Sequence, residues 1–352
     1  MKKIPVIDIT DMYHPYQDPG DNVDILNAFA LSEIDLKAVI MDITEEFRKE
    51  YTVHPIFGRM DGGPREPGIV TMCQCNRLFA RNVPYGIGPF ERLKSETDTA
   101  LDQSSFHDGP ELLLKTLRES DEPVHILCFG SARVIAAAFN RDPETMMKKT
   151  AMIHLSAGSS GDYQEWNVLL DVHVYVRVLR SGLPVALYPC ATENGPFDKG
   201  AFNTYWKLPN KQVFLRMDPP LRRYMQYVFT RSNDQGFLSY LEEDRCAAAD
   251  WADESHNVWE TAIWMQAAGR ELICTEQGYR YLPKGQKKAA LREELLPCRI
   301  DVKDNGVFTF ELTAEPTNTY IYHRELPDDM DRMLAEAYEA EYLGFQSVLQ
   351  AK

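Results

Sequence analysis

Five aspartates near the start of the chain are the residues whose type and spacing most clearly suggest chemistry. They fall within seventeen residues, at Asp8, Asp11, Asp18, Asp21 and Asp24. Carboxylates this close together repel one another unless a positive charge lies among them. Oxygen ligands on a loop suit a hard cation such as Ca²⁺ or Mg²⁺. The segment therefore indicates a divalent-cation site, and the alternative is a solvated turn followed by a helix that Asp24 caps.

A second polar cluster follows a later predicted strand. Small residues from 156 to 161 lead to Glu165, Trp166 and Asn167, and Asp171 then precedes a helical pattern. Small residues let a ligand approach the backbone, and a neighbouring acid and amide can recognise hydroxyl groups. The segment predicts a binding site for a ligand that carries hydroxyl groups.

Both clusters lie at the ends of strands in a predicted α/β fold. Short β-branched runs alternate with helical patterns, which is typical of a doubly wound, mostly parallel sheet flanked by helices. The predicted strands cover 4–8, 36–41, 83–87, 124–129, 152–155 and 185–188, and the predicted helices cover 23–31, 133–140 and 171–181. Open parallel sheets bind ligands beyond the carboxyl ends of their strands, which is where both clusters fall.

The rest of the chain is predicted to complete one domain over 1–352. The Gly/Pro-rich segments 59–68 and 194–210 have the composition of loops that form the rim of an active site. Beyond about residue 270 the pattern becomes β-rich, with strands over 298–302 and 307–312, and ends in a charged helix over 328–350. We interpret 271–352 as a C-terminal β-rich and helical elaboration.

Composition limits the classes of partner. The chain has 352 residues, with 38 Lys and Arg against 53 Asp and Glu and a net charge of −15. An acidic surface repels nucleic acid and anionic lipid, so we expect a small-molecule ligand, with no nucleic acid and no membrane as partner. The early apolar stretch is cut short by Asp8, which favours a cytoplasmic location. The seven cysteines lack zinc-site spacing, and we interpret them as reduced thiols.

These segments, taken in order, resemble the inosine–uridine nucleoside hydrolase family of Ca²⁺-dependent N-ribohydrolases, as a divergent member. The aspartates of 8–24 contain the ingredients of the family's Asp-x-Asp-Pro-Gly-x-Asp-Asp motif, with an insert, and Glu165-Trp166-Asn167 resembles its Glu-Phe-Asn. The segment Val83-Pro84-Tyr85-Gly86 and the strand, glycine turn and helix over 126–143 also correspond. The similarity keeps the same order from about residue 4 to 270.

The resemblance implies a site built around Ca²⁺. Asp11 and Asp24 would be first-loop ligands, with Asp18 and Asp21 as the alternatives. Phe129 would supply a backbone carbonyl, and Glu260 would replace the family's late aspartate. The ion would bind two ribose hydroxyls and a water, and Asp21 or Asp18 would take the proton from that water. Carboxylates would stabilise the oxocarbenium-like transition state of N-glycosidic cleavage.

The remaining site residues are assigned through the same resemblance, including where this chain departs from the family. Trp259 stands where the family has a histidine that assists the leaving base, and His256 could reach the same space. The residues expected to contact substrate are Asp8, His14, Asp42, Leu155, Glu165, Trp166, Asn167 and Trp259.

The leading hypothesis is therefore a Ca²⁺-dependent hydrolase of a ribonucleoside or a related N-riboside. The alternative is a catalytically altered member that binds ribose-type ligands without turnover. The family tends to form dimers or tetramers, so the resemblance also implies a homo-oligomer. An enzyme for phosphorylated substrates is disfavoured, because no glycine-rich phosphate loop follows a predicted strand and the acidic first loop would repel phosphate.

Overall fold

A large mixed sheet forms the centre of the molecule. The computed structural model describes residues 2–12, 20–42, 68–230, 232, 234–243 and 249–349. The strands are β1 Ile4–Thr10, β2 Ile34–Met41, β3 Tyr85–Ile87, β4 Val124–Cys128, β5 Thr150–Ser156, β6 Val185–Tyr188, β7 Trp206–Pro209, β8 Ser255–Val258, β9 Arg270–Thr275, β10 Gly278–Pro283, β11 Glu293–Val302, β12 Phe308–Leu312 and β13 Thr319–Arg324. Nine of them pair in the order β12-β11-β13-β6-β5-β4-β1-β2-β3. Strands β7 and β8, which are far apart in sequence, form one separate antiparallel pair, and β9 and β10 form another.

Helices cover both faces of this sheet. They are α1 Gly20–Ala30, α2 Gly68–Leu78, α3 Gly109–Glu119, α4 Arg133–Arg141, α5 Pro143–Lys149, α6 Trp166–Leu170, α7 Val172–Arg180, α8 Asn210–Phe214, α9 Pro219–Phe229, α10 Thr261–Ala267 and α11 Met330–Gly344. Two large apolar clusters lie against the sheet, and the central strands contribute buried residues to both clusters. Strands buried on both faces need near-continuous apolar runs, which explains sequences such as Val124–Cys128.

The strand order reverses between β1 and β4. From β1 the chain proceeds outward through β2 and β3, whereas β4, β5 and β6 are added on the other side, and all of these neighbours are parallel. Such a reversal leaves a crevice beyond the carboxyl ends of the two strands, where doubly wound proteins bind ligands. Asp11 follows β1 and Phe129 follows β4, so both predicted ligands flank this crevice.

The C-terminal part extends the same sheet. Strand β13 pairs in parallel with β6, and β11 pairs antiparallel with both β13 and β12. Helix α11 packs against the β9–β10 pair and near α8 and β7. The described part of this segment, 271–349, is thus joined to the central sheet by backbone hydrogen bonds.

The predicted fold class is confirmed, and the differences are local. All eight predicted strands are present, and the predicted helix over 328–350 ends at Gly344, followed by a 3₁₀ turn over Phe345–Val348. Strand β13 was not predicted, and it is the strand that joins the C-terminal part to β6. Of the segment 59–68, only Gly68 is described, as the first residue of α2. Within the described residues, no helix has the length and apolar character to cross a bilayer.

Candidate active site

A cavity of about 350 Å³ opens at the crevice between β1 and β4. This volume lies in the range of small-molecule sites in proteins. Its walls come from both sides of the sheet reversal and from two later segments of the chain. The lining residues are Asp11, Gly20, Asp21, Phe129, Ser156, Tyr163, Glu165, Trp166, Asn167, Cys190, Pro196, Phe197, Trp259 and Glu260.

Four acids from three segments of the chain meet at the base of this cavity, and we call Asp11, Asp21, Asp24 and Glu260 the acid cluster. Asp11 follows β1, Asp21 and Asp24 lie one helical turn apart in α1, and Glu260 precedes α10. The carboxyl of Asp21 is within hydrogen-bond reach of those of Asp11 and Glu260, and Glu260 also reaches Asp24. The tertiary structure therefore brings together acids that are more than 230 residues apart in sequence.

Burial dominates the electrostatics of the acid cluster. Desolvation raises the pKa of Asp24 to about 7 and raises the pKa of Asp21, although hydrogen bonds partly oppose both shifts. The hydroxyl of Thr10 donates to Asp21 Oδ2 at 2.9 Å, and the backbone N–H of Asp11 also donates to this carboxylate. Adjacent buried carboxyl groups are stable only when they share protons or hold a cation.

The donor set of the acid cluster suits a hard cation. Its atoms are carboxylate oxygens, and buried Asp24 Oδ2 receives no hydrogen bond. The Phe129 carbonyl, beside the cluster, accepts one hydrogen bond from Asn167 Nδ2 at 3.2 Å and keeps a second lone pair. Oxygen-only donors of this kind are the ligands that Ca²⁺ takes. Among the described residues, no three His, Cys, Asp or Glu side chains are already arranged as a group that could hold a metal ion.

Two further predicted acids lie behind the acid cluster. Asp8 is buried in β1, where burial first and Asp21 second raise its pKa well above the usual value. Asp42 follows β2 and accepts hydrogen bonds on Oδ2 from the backbone N–H and the hydroxyl of Ser131, at 3.0 and 2.6 Å. Burial raises the pKa of Asp42 to about 6, against the opposing charge of Arg133. Neither acid is among the lining residues, so both support the floor of the site.

The Glu165 and Asn167 side chains line the cavity and also hold its backbone. Glu165 caps α6, with Oε1 accepting from Asn167 N at 2.9 Å and Oε2 accepting from Gly158 N at 2.8 Å. Burial raises the pKa of Glu165 to about 7 in spite of these bonds. Asn167 Nδ2 donates to the carbonyls of Phe129 and Ser156. Its Oδ1 is therefore the atom suited to accept a hydrogen bond from a ligand hydroxyl.

Aromatic side chains form the outer part of the cavity. Trp166, Tyr163 and Phe197 are exposed at its mouth, and Trp259 is half-buried deeper inside. The Trp259 ring lies 5.4 Å from that of Tyr205 and 6.0 Å from that of Phe197, and its Nε1 donates to the Cys190 carbonyl at 2.9 Å. Such a rim suits a flat ligand that stacks on aromatic faces. The predicted rim segment 194–210 supplies Phe197 and its neighbour Pro196.

Two predicted site residues lie elsewhere. Leu155 is fully buried in the apolar core of the sheet, because side chains alternate along β5 and the next residue, Ser156, is the one that lines the cavity. His256 was expected one helical turn before Trp259, but β8 carries it, so its ring turns inward between Phe214 and Phe229.

The environment of His256 excludes a role in proton donation from this position. Its Nδ1 contacts Asn210 Oδ1 at 2.5 Å, and burial lowers its pKa to about 3, so the ring is neutral at physiological pH. The other two first-loop predictions, His14 and Asp18, lie outside the described residues.

Residues that the sequence did not reveal complete the site. Tyr338 and Tyr342, on α11, both direct their hydroxyls at Asp24 Oδ1, at 3.1 and 3.2 Å. Their spacing of four residues on a helix gives the same pattern as ordinary core residues. Nothing local in the sequence distinguishes such tyrosines from packing residues.

Sequence comparison finds ribonucleoside hydrolases. A protein of Escherichia coli O1:K1 / APEC named pyrimidine-specific ribonucleoside hydrolase RihA is 30% identical over 182 residues, which cover 48% of this chain and 57% of that protein. The chain thus spans little more than half the length of the curated relatives that it matches. No protein-family profile matches it.

Solved structures extend the likeness to the whole fold. The purine-preferring ribonucleoside hydrolase from Gardnerella vaginalis aligns with a TM-score of 0.51 at 12% identity, over 97% of this chain and 98% of that one. The plant nucleoside hydrolase PpNRh1 aligns with a TM-score of 0.51 at 14% identity, over 95% and 98%. The fold and the sequence similarity together confirm the resemblance seen in the motifs. The chain thus has the fold of nucleoside hydrolases and, over about half of its length, is similar in sequence to ribonucleoside hydrolases.

Proposed function

We propose that this protein hydrolyses the N-glycosidic bond of a ribonucleoside or a related N-riboside. The observation that carries the proposal is the acid cluster, which lies beneath an aromatic cavity at the strand reversal of a nucleoside hydrolase fold. The similarity to ribonucleoside hydrolases supports the same reaction class.

A Ca²⁺ ion fits the acid cluster by the chemistry of its donors. The carboxylates of Asp11, Asp24 and Glu260 and the carbonyl of Phe129 would hold it. When bound, the ion would act as a Lewis acid that orients two vicinal ribose hydroxyls and lowers the pKa of a bound water.

Asp21 is the proposed general base. It lies in the middle of the acid cluster and lines the cavity, so its carboxylate can take a proton from an attacking water beneath the sugar. The Thr10 hydroxyl and the Asp11 N–H hold one orientation of this carboxylate. The other acids of the cluster would stabilise the positive charge that develops on the ribose ring as the bond breaks. Asp18 remains the alternative base.

The upper part of the cavity would bind the two ends of the substrate. Asn167 Oδ1 and the Glu165 carboxylate would recognise ribose hydroxyls from the side of α6. Trp259 and Trp166 would stack on the base or another flat aglycone. His14, Asp8 and Asp42 stay as proposed supporting residues of this site, whereas the buried positions of Leu155 and His256 remove both from it.

One feature of the cavity favours the alternative, a protein that binds ribose-type ligands without turnover. Within the described residues, the lining contains no His, Lys or Arg that could protonate a departing base. Trp259 stands beside Glu260, and an indole cannot donate a proton as an acid. Turnover would then require a leaving group that departs without a cationic acid from the described lining.

A turnover assay with a matched pair of variants tests the proposed function. We expect the wild-type protein to release free ribose from some members of a nucleoside panel when Ca²⁺ is present and to lose this activity in a chelator. Asp21→Asn should lower kcat by about 100-fold or more, because a general base contributes on the order of 10²–10⁴.

A substitution outside the lining of the cavity provides the control for this assay. Asp253→Asn, at an exposed acid paired with Lys211, should leave the activity unchanged. Ribose binding by calorimetry without any ribose release from nucleosides would favour the binding protein. Activity that is unaffected by both the chelator and Asp21→Asn would overturn the proposal.

The proposal also covers the partner, location, assembly and domain organisation of the protein. The net charge of −15 supports a small-molecule substrate and argues against nucleic acid as a partner. A cytoplasmic location, a homo-oligomeric assembly and a single nucleoside hydrolase-like domain over 1–352 are proposed on the same resemblance.

A further inference from the structure

The C-terminal helix α11 reaches the acid cluster through two buried tyrosines. Tyr338 and Tyr342 are 1% and 0% exposed, and their rings stack at 4.0 Å with an interplanar angle of 16°. Trp206 packs edge-on against Tyr338, and Phe345 packs against Tyr342. This packing fixes the direction in which both hydroxyls point.

The two hydroxyls converge on a single oxygen atom. Tyr338 donates to Asp24 Oδ1 at 3.1 Å, and the Tyr342 hydroxyl lies 3.2 Å from the same atom. Asn27 Nδ2, one turn further along α1, contacts Asp24 Oδ1 at 3.3 Å and the Tyr342 hydroxyl at 3.1 Å. The Tyr342 hydroxyl also lies 3.1 Å from the Val23 carbonyl, which ties α11 to the backbone of α1.

The second oxygen of the same carboxylate is left without a donor. Asp24 Oδ2 is buried and accepts no hydrogen bond from an N–H or hydroxyl group, and the carboxyl as a whole is hydrogen-bonded with that of Glu260. The hydrogen bonds to Oδ1 orient this buried carboxylate, since turning its plane part of the way would break them. Oδ2 is the oxygen available to a ligand of the acid cluster.

We propose that Tyr338 and Tyr342 are positioning residues that hold Asp24 for divalent-cation binding, so that α11 is an integral part of the site. The proposal rests on the proposed function, because it takes the acid cluster to be a cation site. Neither tyrosine is a ligand in this arrangement: both act through Asp24, as partners that orient ligands do in other metal sites.

Calcium binding measured by titration calorimetry with CaCl₂ tests this inference without any assay of turnover. The variants are Tyr338→Phe, Tyr342→Phe and the double variant, which remove the hydroxyls and keep the rings. Loss of an orienting partner typically lowers metal affinity about 10- to 100-fold, and we expect the double variant to fall in this range. The matched control is Tyr227→Phe, which removes another fully buried hydroxyl, one that donates to the Asp234 carbonyl.

A double-mutant comparison separates positioning from general loosening of the fold. In an Asp24→Asn background, the two phenylalanine substitutions should have no further effect on Ca²⁺ affinity, because the group they orient is gone. Thermal unfolding in a chelator identifies any variant that fails to fold, and Tyr338→Phe alone then provides the milder change.

Three outcomes decide the matter. Reduced affinity in the Tyr338 and Tyr342 variants, with wild-type affinity in Tyr227→Phe, supports the proposal. Wild-type affinity in all of them, or an equal loss in the Asp24→Asn background, overturns it and leaves the proposed cation site intact. A wild-type protein that binds no Ca²⁺ or other divalent ion overturns the cation site itself and this inference with it.

Discussion

At the scale of single residues, the site depends on carboxylates that burial keeps from ionising freely. The pKa values of Asp24 and Glu165 are both raised to about 7, chiefly by desolvation, although each accepts hydrogen bonds that favour the charged form. The difference between them lies in their partners. Glu165 is held by backbone N–H groups, which makes it part of the scaffold, whereas the acid cluster contains carboxyls that contact one another.

Trp259 provides the prediction at this scale. If it stacks on the aglycone, Trp259→Ala should raise KM about three- to tenfold, since aromatic pairs contribute about 0.5–1.5 kcal/mol. Trp259→Phe keeps an aromatic face and loses only the hydrogen bond to the Cys190 carbonyl, so its KM should rise less. Steady-state kinetics on one nucleoside would measure both. An equal effect of the two substitutions would assign Trp259 a packing role instead.

At the scale of elements, the turn after β5 shapes the sugar side of the cavity. Gly158 has a φ of +86°, and its N–H donates to Glu165 Oε2, while its carbonyl accepts from Cys190 N at 2.9 Å. A Cβ at this position would lie 2.4 Å from the Tyr175 hydroxyl oxygen. Only glycine combines this conformation with so close an approach.

The matched pair Gly158→Ala and Gly182→Ala tests this turn. Gly182 has a similar φ of +80°, but a Cβ there meets nothing within 4 Å. Gly182→Ala should therefore cost only the left-handed conformation, about 1–2 kcal/mol. Gly158→Ala should lower the free energy of unfolding by about 1–3 kcal/mol more, because of overpacking against Tyr175. Urea unfolding would measure both variants, and equal losses would contradict the crowding argument.

At the scale of the whole molecule, a buried polar chain ties three central strands together. His125 Nδ1 on β4 contacts His154 Nε2 on β5 at 3.0 Å, and His154 Nδ1 contacts the Tyr188 hydroxyl on β6 at 3.0 Å. Burial, with a smaller contribution from His125, lowers the pKa of His154 to about 3. The sheet is therefore built around an uncharged imidazole.

This arrangement predicts that the free energy of unfolding falls as the solution becomes more acidic. The pKa of His154 is lower in the folded protein than the value of about 6.5 in the unfolded chain, so unfolding takes up a proton. The contribution of neutral His154 to the free energy of unfolding is complete above about pH 6.5 and is lost as the pH falls towards 3. The loss is at most about 1.4 kcal/mol per pH unit. His154→Gln should flatten the fall of the unfolding free energy between pH 7.5 and 5, as measured in urea.

Exposed His173, on α7, supplies the comparison for this experiment. His173→Gln replaces a histidine whose side chain is exposed in the folded protein, so the pH dependence of this variant gives the reference slope. A wild-type slope in His154→Gln would show that other groups account for the acid sensitivity.

The sequence by itself determined most of the strands in the central sheet and the polar residues at the ends of these strands. Apolar runs and turn residues are local signals, so β1, β4 and the acids that follow β1 could be predicted, and the motif of 8–24 indicated a cation site. Glu260 was found only because a resemblance supplied its role. Leu155 was wrongly placed in the site, although its neighbour Ser156 is the residue that lines the cavity. Side chains alternate along a strand, so an error of one residue in the alignment selects the side chain on the wrong face.

Only the tertiary structure decided which distant side chains complete the site. Asp24 and Tyr338 are 314 residues apart, and their contact depends on how α11 packs over α1. His256 turned inward because β7 pairs with β8, a partnership that residues 255–258 do not encode alone. Local pattern fixes period and polarity, but hydrogen bonds between remote elements follow from packing of the whole chain, which no single segment specifies.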